Sequence, residues 1–350
     1  MTTSRRRYFV VLTGQEDNVG DSLLRRPYAN RLRSAGPIYV WAGRNDDYVS
    51  GLSLQEGERA RSYSGWLGAL LVAAVTGRAS LALNAGEFTV TRKGTLLFIP
   101  LLVLSLVVRV SGGHLVWLGA GVKSIRRGFT WPYRLYARLA HEVTWREPTS
   151  ADRIGIEAPT VPDWAFSIER AEPEEPGRRS LIAVSLRGDR PAPSAEWLDS
   201  VRETADRLGL DIVVVVQVVR DRERAQEVAD RLGANIFAWE PGAHDVRERE
   251  LRELYAGCKL IISDRLHALI LAATEGAVPL AWTDLGSVKV ARHFQAVDMG
   301  DVSLSDSDSL EALASLTPEA VDARVADLDL ALDSARRTLS AFPRTWKKAR

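Results

Sequence analysis

An arginine and a histidine with one residue between them follow an apolar run in the second half of the chain. The segment Ile261-Ile-Ser-Asp-Arg-Leu-His267 predicts a strand that ends at Ser263 and a helix that opens at Arg265, Leu266 and His267. Ligands of open α/β sheets bind beyond the carboxyl ends of the strands. A helix start and an arginine attract an anion there, and an imidazole exchanges protons near neutral pH. The segment therefore indicates an anion site beside an acid or base.

Two further cations follow predicted strands. Arg187 comes directly after the apolar run Ile182-Ala-Val-Ser-Leu, and Lys289 follows the last predicted strand of the chain. Each cation also has a structural interpretation, which stays open at this point: Arg187 and Lys289 are solvated, and Arg265 pairs with a neighbouring carboxylate. On that interpretation His267 is a core residue.

Polar residues and glycines follow strands in the first half of the chain. In the loop at residues 17–21, Gly20 allows a ligand to approach the backbone, and Asn18 or Asp21 can bond a hydroxyl group. A helix N-cap is the alternative for this loop. Gly119-Ala-Gly121 also follows a predicted strand, but it lacks the rest of a dinucleotide-binding fingerprint.

Alternating strand and helix signals must position these residues. In the first half, short continuous apolar runs are typical of strands buried on both faces and therefore parallel. The predicted strands are residues 8–12, 38–42, 80–83 and 115–118, and the predicted helices are residues 21–34, 57–75, 95–110 and 132–140.

The second half repeats this alternation after a charged segment that is rich in proline and glycine. Its predicted strands are residues 180–186, 211–219, 234–237, 259–263 and 278–282, and its predicted helices are 194–208, 221–232, 246–256, 266–274 and 288–294. Strict alternation favours doubly wound parallel sheets. We therefore predict an α/β fold of two Rossmann-like domains that face a cleft. The predicted parts are residues 1–167, a linker at 168–179, residues 180–304 and a helical tail at 305–350.

Two apolar segments raise the question of a membrane. Residues 95–108 carry no charge over 14 positions, and residues 65–77 are similarly apolar. A spanning helix needs about 20 such residues, so we expect both to be helices buried in the core. Peripheral contact with a membrane stays open.

Composition limits the remaining function classes. The 46 Lys and Arg nearly balance the 45 Asp and Glu, which argues against a nucleic-acid partner. Cys258 is the single cysteine, and no zinc-binding spacing can be assembled, so we expect no metal and a cytoplasmic protein. The apolar run that follows Arg7 is too short for a signal peptide and predicts a first strand.

Taken together and in order, these stretches resemble the polysaccharide pyruvyl transferase family over roughly residues 8–300. The matching features, as they stand here, are Asn18-Val-Gly-Asp21, Leu81-Ala-Leu-Asn-Ala-Gly-Glu87, Leu115-Val-Trp-Leu-Gly-Ala-Gly121, Trp145-Arg-Glu-Pro-Thr-Ser150, Pro162-Asp163, Ser185-Leu-Arg187, Gln217 with Asp221, Ser263-Asp-Arg-Leu-His267 and Lys289. One departure is Asn84-Ala-Gly-Glu87, where family members commonly carry a run of glycines.

The resemblance implies a fold similar to GT-B glycosyltransferases and transfer of pyruvate from phosphoenolpyruvate to a sugar as a cyclic ketal. It implies donor binding by Arg187, Arg265 and Leu266, with His267 and Lys289 as catalytic residues and no cofactor besides the co-substrate. We expect the first domain to bind a sugar or a lipid-linked glycan, in the cytoplasm or at the inner face of its membrane. The expected acceptor residues are Asn18, Gly20, Asp21, Asn84, Glu87, Gly119 and Gly121.

Elementary chemistry agrees with a donor of this kind. Phosphoenolpyruvate carries a phosphate and a carboxylate, which two arginines can hold with their planar forks. An imidazole can protonate the methylene carbon or deprotonate a sugar hydroxyl. Two alternatives stay open on the same fold. One is a nucleotide-sugar glycosyltransferase, in which Glu275 takes the ribose hydroxyls, and the other is a binding protein without catalysis.

Overall fold

The computed structural model describes residues 6–171, 179–240, 242–282, 288–299, 302–304 and 306–342, with the backbone alone at 288–289, 303–304 and 306–309. The chain divides into two compact units. Unit 1 comprises Met1–Gln15, Asp21–Trp164 and Arg337–Arg350, and unit 2 comprises Glu16–Gly20 and Ala165–Arg336. Each unit is built on a parallel sheet, so the predicted α/β class with two parallel-sheet domains is confirmed.

The sheet of unit 1 has six strands in the order β2-β1-β3-β5-β4, with β6 also paired to β5. Its apolar strands are covered by helices, and Phe9, Trp66 and Trp117 lie in the core between them. The strands are β1 (Arg7–Val11), β2 (Ile38–Trp41), β3 (Ala79–Ala82), β4 (Gly86–Val90), β5 (Leu115–Ile125) and β6 (Glu142–Trp145). The helices are α1 (Val19–Ala35), α2 (Asp46–Ser50), α3 (Tyr63–Val75), α4 (Arg92–Val110), α5 (Trp131–Leu139) and α6 (Thr149–Ile154).

The sheet of unit 2 has six parallel strands in the order β12-β11-β10-β7-β8-β9. The strands are β7 (Leu181–Ser185), β8 (Asp211–Val215), β9 (Asn235–Phe237), β10 (Cys258–Ser263), β11 (Val278–Trp282) and β12 (Ser303–Leu304). The helices are α7 (Ala195–Leu208), α8 (Arg222–Leu232), α9 (His244–Ala256), α10 (Leu266–Thr274), α11 (Val288–Gln295), α12 (Asp306–Ser315) and α13 (Pro318–Ser340). All the strands and helices predicted for residues 180–294 are present, and the bounds of α10 coincide with the prediction.

The unit boundaries differ from the predicted domain boundaries. Unit 2 begins at Ala165 rather than beyond 167, because the Phe166 ring packs edge-on against Phe294 with 5.4 Å between centroids. The tail at 305–350 is not a separate part, because α13 begins in unit 2 and the chain from Arg337 is counted with unit 1. There the Arg31 guanidinium donates to the Ser340 carbonyl at 2.6 Å. Of the predicted linker, residues 172–178 lie outside the described residues.

The expectation that both apolar segments are buried core helices is wrong for their outward faces. Only the inner face of α4 is buried, and 28% of its most apolar stretch lies inside the protein. Large apolar side chains of α3 and α4 are exposed instead, among them Leu71 and Leu97. By length and composition alone, α4 is the one helix in the described part of the chain that could cross a membrane.

Candidate functional site

The loops that follow β7 and β10 meet at neighbouring strand ends in unit 2. Ser185 and Ser263, the last residues of the two strands, pair in the parallel ladder. The Ser263 hydroxyl donates to the Ser185 carbonyl at 2.5 Å and accepts from the Arg265 backbone N–H at 2.9 Å. The Asp264 carboxylate accepts from the Arg187 backbone N–H at 2.9 Å. These bonds connect the two loops that carry the candidate donor arginines.

Arg265 forms a buried ion pair with Asp221, which follows β8. The Arg265 Nη2 lies 2.5 Å from Asp221 Oδ1, and the same oxygen accepts from the Gly188 backbone N–H at 2.8 Å. The side chain of Arg265 is 11% exposed and that of Asp221 is 3% exposed. The structural alternative for Arg265, pairing with a carboxylate, is therefore present in the structure.

Three buried polar atoms at this site are not satisfied by that pairing. The Nε of Arg265, the Oδ2 of Asp221 and the Oδ2 of Asp264 have no hydrogen-bond partner among the described residues. Buried polar atoms in proteins are nearly always bonded, so an exception needs an explanation. A bound anion that accepts from Arg265 Nε would supply one.

Arg187 is engaged by a carboxylate of its own loop. Its Nε and Nη2 donate to the two Asp189 oxygens at 2.8 and 2.7 Å. The hydrogen bond to Asp189 raises the pKa of Arg187, and the same bond lowers the pKa of Asp189 to about 2, with a smaller contribution from the charge of Arg265. Asp189 is largely exposed, so an incoming anion can take its place on the Arg187 fork.

Asp264 is the residue of the site whose protonation is most perturbed. Burial raises the pKa of its carboxyl to about 6, against the opposing effects of the Arg187 N–H bond and the Arg265 and Arg187 charges. The Asp221 charge adds to the rise. Asp264 therefore titrates near neutral pH between two arginines, which sequence reasoning did not anticipate.

The loop at 16–20 belongs to unit 2 and packs against His267. A Cβ on Gly20 would lie 2.5 Å from Nδ1 and 2.7 Å from Cβ of His267, so only glycine fits beside the imidazole. The loop is held by an antiparallel bridge between Asn18 and Val218. The Asn18 side chain also accepts from the Gly20 N–H at 3.1 Å, which is the N-cap alternative for this residue. Asn18 and Gly20 thus lie with the candidate donor residues of unit 2, and not with those expected at the acceptor.

The other expected acceptor residues lie in unit 1. Asp21 and Asn84 are joined by the buried Arg25, which donates to Asn84 Oδ1 at 3.0 Å and to the Asp21 carbonyl at 2.7 Å. The Asn84 amide in turn donates to the Thr13 carbonyl at 3.1 Å. These hydrogen bonds form a network beyond the ends of β1 and β3. Sequence reasoning did not single out Arg25, its central residue.

A second buried arginine organises the glycine pair and Glu87. Arg146 lies 3.1 Å from Asp163 Oδ2 and 3.6 Å from Glu87 Oε1. A Cβ on Gly121 would overlap Arg146 Nε. Gly119, with φ +72°, leaves room for Trp164 in the same way.

Contrary to the sequence prediction, Gly119 and Gly121 do not follow a strand. Both glycines lie inside β5 and not beyond its end, because the strand continues for seven residues past its predicted end at 118. Their hydrogen atoms face a tryptophan and an arginine of the same unit. A side chain at either position would overlap one of these neighbours.

Three further predicted residues have more limited roles in the structure. Leu266 is buried as the first residue of α10, so it can offer a ligand only its backbone. Lys289 lies in α11, and its side chain is outside the described part of the structure. Glu275 caps the opposite end of α10 from Arg265, about 15 Å away because the two caps are ten residues apart. Its carboxylate is fully buried and bonded to Arg252 Nε at 2.5 Å, which does not suit a ribose ligand.

Among the described residues, no three His, Cys, Asp or Glu side chains are grouped as a metal site would require. Sequence reasoning singled out the cations of the site but gave less weight to their carboxylate partners. Asp221 was named only as part of the resemblance, and Asp189 and Asp264 were not proposed as functional. The sequence signal for these carboxylates was their position, after a strand for Asp221 and Asp264 and in the Arg187 loop for Asp189.

Comparison with known proteins agrees with the architecture of both units. The family model for polysaccharide pyruvyl transferase matches residues 18–278. The chain belongs to the polysaccharide pyruvyl transferase family. No curated protein matches it by sequence.

Solved structures share the fold at low sequence identity. UDP-GlcNAc 2-epimerase from Neisseria meningitidis, bound to UDP-GlcNAc, superposes with a TM-score of 0.59 at 11% identity, over 98% of this chain and 100% of that one. HepE from Anabaena in complex with UDP gives 0.55 at 11% identity, over 97% and 100%. A mutant O-GlcNAc transferase from Thermobaculum terrenum gives 0.52 at 14% identity, over 99% and 68%. The chain therefore has a GT-B-like fold.

Proposed function

We propose that this protein transfers the pyruvate group of phosphoenolpyruvate onto two hydroxyls of a glycan as a cyclic ketal and releases phosphate. Family membership supports a pyruvyl transfer and a sugar acceptor. The observation that carries the donor assignment is the meeting of Arg187 and Arg265 at adjacent strand ends, connected through Asp264. We place the reaction in the cytoplasm, and it requires no cofactor or metal in this scheme.

Donor binding follows from the charges at the two strand ends. Arg265 offers its unsatisfied Nε, and Arg187 offers a fork that Asp189 occupies in the absence of a ligand. Guanidinium forks match the geometry of both phosphate and carboxylate groups. We assign the phosphate and carboxylate of the donor to these two arginines, while Lys289 stabilises the departing phosphate.

Proton transfer is assigned to His267. One sugar hydroxyl adds to C2 of the donor and passes its proton to the donor phosphate, while the methylene carbon gains a proton and becomes a methyl group. A second hydroxyl then displaces phosphate from the same carbon and loses its own proton. An imidazole can give the first proton and accept the second. The backbone of Gly20 packs directly against this ring and so fixes its position.

Acceptor binding is assigned to unit 1. The Arg25 network with Asp21 and Asn84 and the partly exposed Glu87 present carboxylate and amide oxygens for sugar hydroxyls. Asn84 and Glu87 stand where the family commonly carries glycines, so we expect them to select the acceptor of this particular chain.

Thermal unfolding with candidate donors tests the proposed function. Phosphoenolpyruvate is expected to raise the melting temperature in proportion to the logarithm of its concentration, and UDP- or GDP-sugars are expected to have no effect. The variant Arg187→Gln should lose the response, while the exposed Arg44→Gln outside the site should keep it. A shift with a nucleotide sugar and none with phosphoenolpyruvate would instead favour a glycosyltransferase of the same fold.

The Asp189→Asn variant is expected to bind phosphoenolpyruvate more tightly than the wild type. The carboxylate of Asp189 competes with the donor for the Arg187 fork, and an exposed pair of this kind costs little to break. We expect the KM for phosphoenolpyruvate to fall about threefold to tenfold with kcat little changed. A higher KM would mean that Asp189 positions Arg187 rather than competing for it.

The charge of Asp264 predicts a pH dependence of donor binding. Its carboxyl has a pKa of about 6, raised by burial, so it gains a negative charge beside both arginines as the pH rises through that value. Because the donor phosphate titrates in the same range, wild type is compared with Asp264→Asn. The ratio of the wild-type Kd to the variant Kd should rise about threefold to tenfold between about pH 5 and pH 7. A constant ratio would mean that the charge of Asp264 does not affect donor binding.

A further inference from the structure

The outward faces of α3 and α4 form an exposed apolar surface on unit 1. The two helices pack against each other, and their outward side chains recur at helical spacing, as at positions 96, 103 and 110 of α4. Val72 is 63% exposed, Leu97 is 64% exposed and Val110 is 88% exposed. This apolar face comprises Leu71, Val72, Val75, Leu96, Leu97, Val103, Leu106 and Val110. Contiguous apolar patches on soluble domains mark interaction sites.

Exposed basic side chains lie at one end of the apolar face, near the start of α4. Residues 61–141 carry ten Lys and Arg and a single acidic residue, Glu87, in a chain whose net charge is only +1. Arg92 and Lys93 are exposed at the start of α4. The exposed Arg126 and Arg127 lie next to that start, because the Arg126 N–H donates to the Val90 carbonyl at 3.0 Å. Positive charge is therefore concentrated in this region, while the chain as a whole is nearly neutral.

An exposed aromatic side chain lies four residues after Arg127 in the chain. Trp131 opens α5, which packs against α4, and the ring is 52% exposed. Tryptophan is enriched where protein meets the headgroup level of a membrane, because its ring is apolar with one polar N–H. Apolar side chains, basic side chains and an exposed tryptophan on one surface are the features of helices that lie in a membrane interface.

The connections of α4 exclude a membrane-spanning role for it. The helix begins two residues after β4 and ends five residues before β5, and these strands pair in parallel in one sheet. Its inner side chains Leu101, Leu102 and Val108 are buried in the core of unit 1. Crossing a bilayer would separate this buried face from the sheet, so α4 must lie along a surface.

We propose that α3 and α4 bind the surface of an anionic membrane. The apolar face enters the boundary of the acyl chains, and the basic side chains at 92–93 and 126–127 contact acidic lipid headgroups. Charge favours lipid over a second copy of this chain, because two copies of so basic a region repel each other. This surface is separate from the arginine site of unit 2 and does not rest on the proposed reaction.

Co-sedimentation of the full chain with lipid vesicles tests the proposal. Binding is expected to vesicles rich in phosphatidylglycerol, weaker binding to pure phosphatidylcholine, and release at high salt. Leu97→Ser and Arg126→Glu should each weaken partitioning about tenfold. The matched controls are Leu330→Ser, an exposed leucine of α13, and Arg44→Glu, and both should bind as the wild type does. Circular dichroism checks that all four variants fold.

Three outcomes would overturn the proposal. The first is equal sedimentation of the wild type with and without anionic vesicles. The second is a concentration-dependent dimer, seen by analytical ultracentrifugation, that Leu97→Ser abolishes, because a second copy would then cover the apolar face. The third is retention in vesicles after alkaline carbonate extraction, which would mean that the chain spans the bilayer.

Discussion

The variant Arg265→Gln is expected to lower kcat/KM for phosphoenolpyruvate about 10²-fold to 10³-fold. The change removes the fork that we assign to the donor, including the unsatisfied Nε. It also leaves Asp221 buried without its ion-pair partner, which costs about 3–5 kcal/mol of stability. Steady-state kinetics and thermal unfolding measure the two losses separately.

A double variant distinguishes donor binding from structural pairing. In Arg265→Gln with Asp221→Asn both charges are gone, and the new asparagine can still accept from the Gly188 N–H through its amide oxygen. We expect the double variant to recover most of the lost thermal stability and none of the lost activity. If activity returned together with stability, Arg265 would be a structural residue, and the donor assignment would be wrong.

The variant Gly20→Ala is expected to lower kcat at least about 100-fold with little change in the KM for phosphoenolpyruvate. A methyl group at this position would lie 2.5 Å from Nδ1 of His267, so the ring or the loop must move. A displacement of about 1 Å at an acid–base group is enough for a loss of this size. The three atoms nearest to the new methyl group all belong to His267 and none to a donor arginine, which is why KM should hold.

The matched control is Gly242→Ala, since a Cβ there meets nothing within 4 Å. Its activity should equal that of the wild type. The reverse pattern for Gly20→Ala, an unchanged kcat with a raised KM, would assign His267 to donor binding instead of proton transfer.

The strand ends and their cations were predictable because parallel sheets impose simple rules. Continuous apolar runs gave the strands of unit 2, and Ser263 was correctly placed at the end of one. Once β7 and β10 are neighbours, the residues that follow them are close, whatever their distance in the chain. The proximity of the Arg187 and Arg265 loops follows from that rule.

The partners of those cations were harder to predict. Asp221 is separated from Arg265 by 44 residues, and nothing local in the sequence links them. The strand β4 was missed because Gly86, Glu87 and Thr89 interrupt its apolar pattern. The association of residues 16–20 with unit 2 depends on contacts such as the bridge to Val218, which no local pattern encodes.

Apolar composition could not locate the outward faces of α3 and α4. A helix that is apolar on every side has the same sequence whether its second face meets a core or a membrane. Such a helix has no polar face that would mark its outward side in the sequence. Only the exposure of residues such as Leu97 in the structure distinguishes the two cases. The concentration of basic residues at 61–141 is visible in the sequence, but it did not enter the prediction for these helices.

Transfer of labelled carbon from donor to glycan tests the proposed reaction most directly. Purified protein is incubated with ¹³C-labelled phosphoenolpyruvate and a glycan fraction from cells that lack the protein, and glycan mass and phosphate release are both followed. We expect one labelled, acid-labile pyruvate ketal for each phosphate released, with Arg187→Gln inactive and Arg44→Gln active. Glycans that remain unlabelled with the wild-type protein, or that gain a sugar from a nucleotide donor instead, would contradict it.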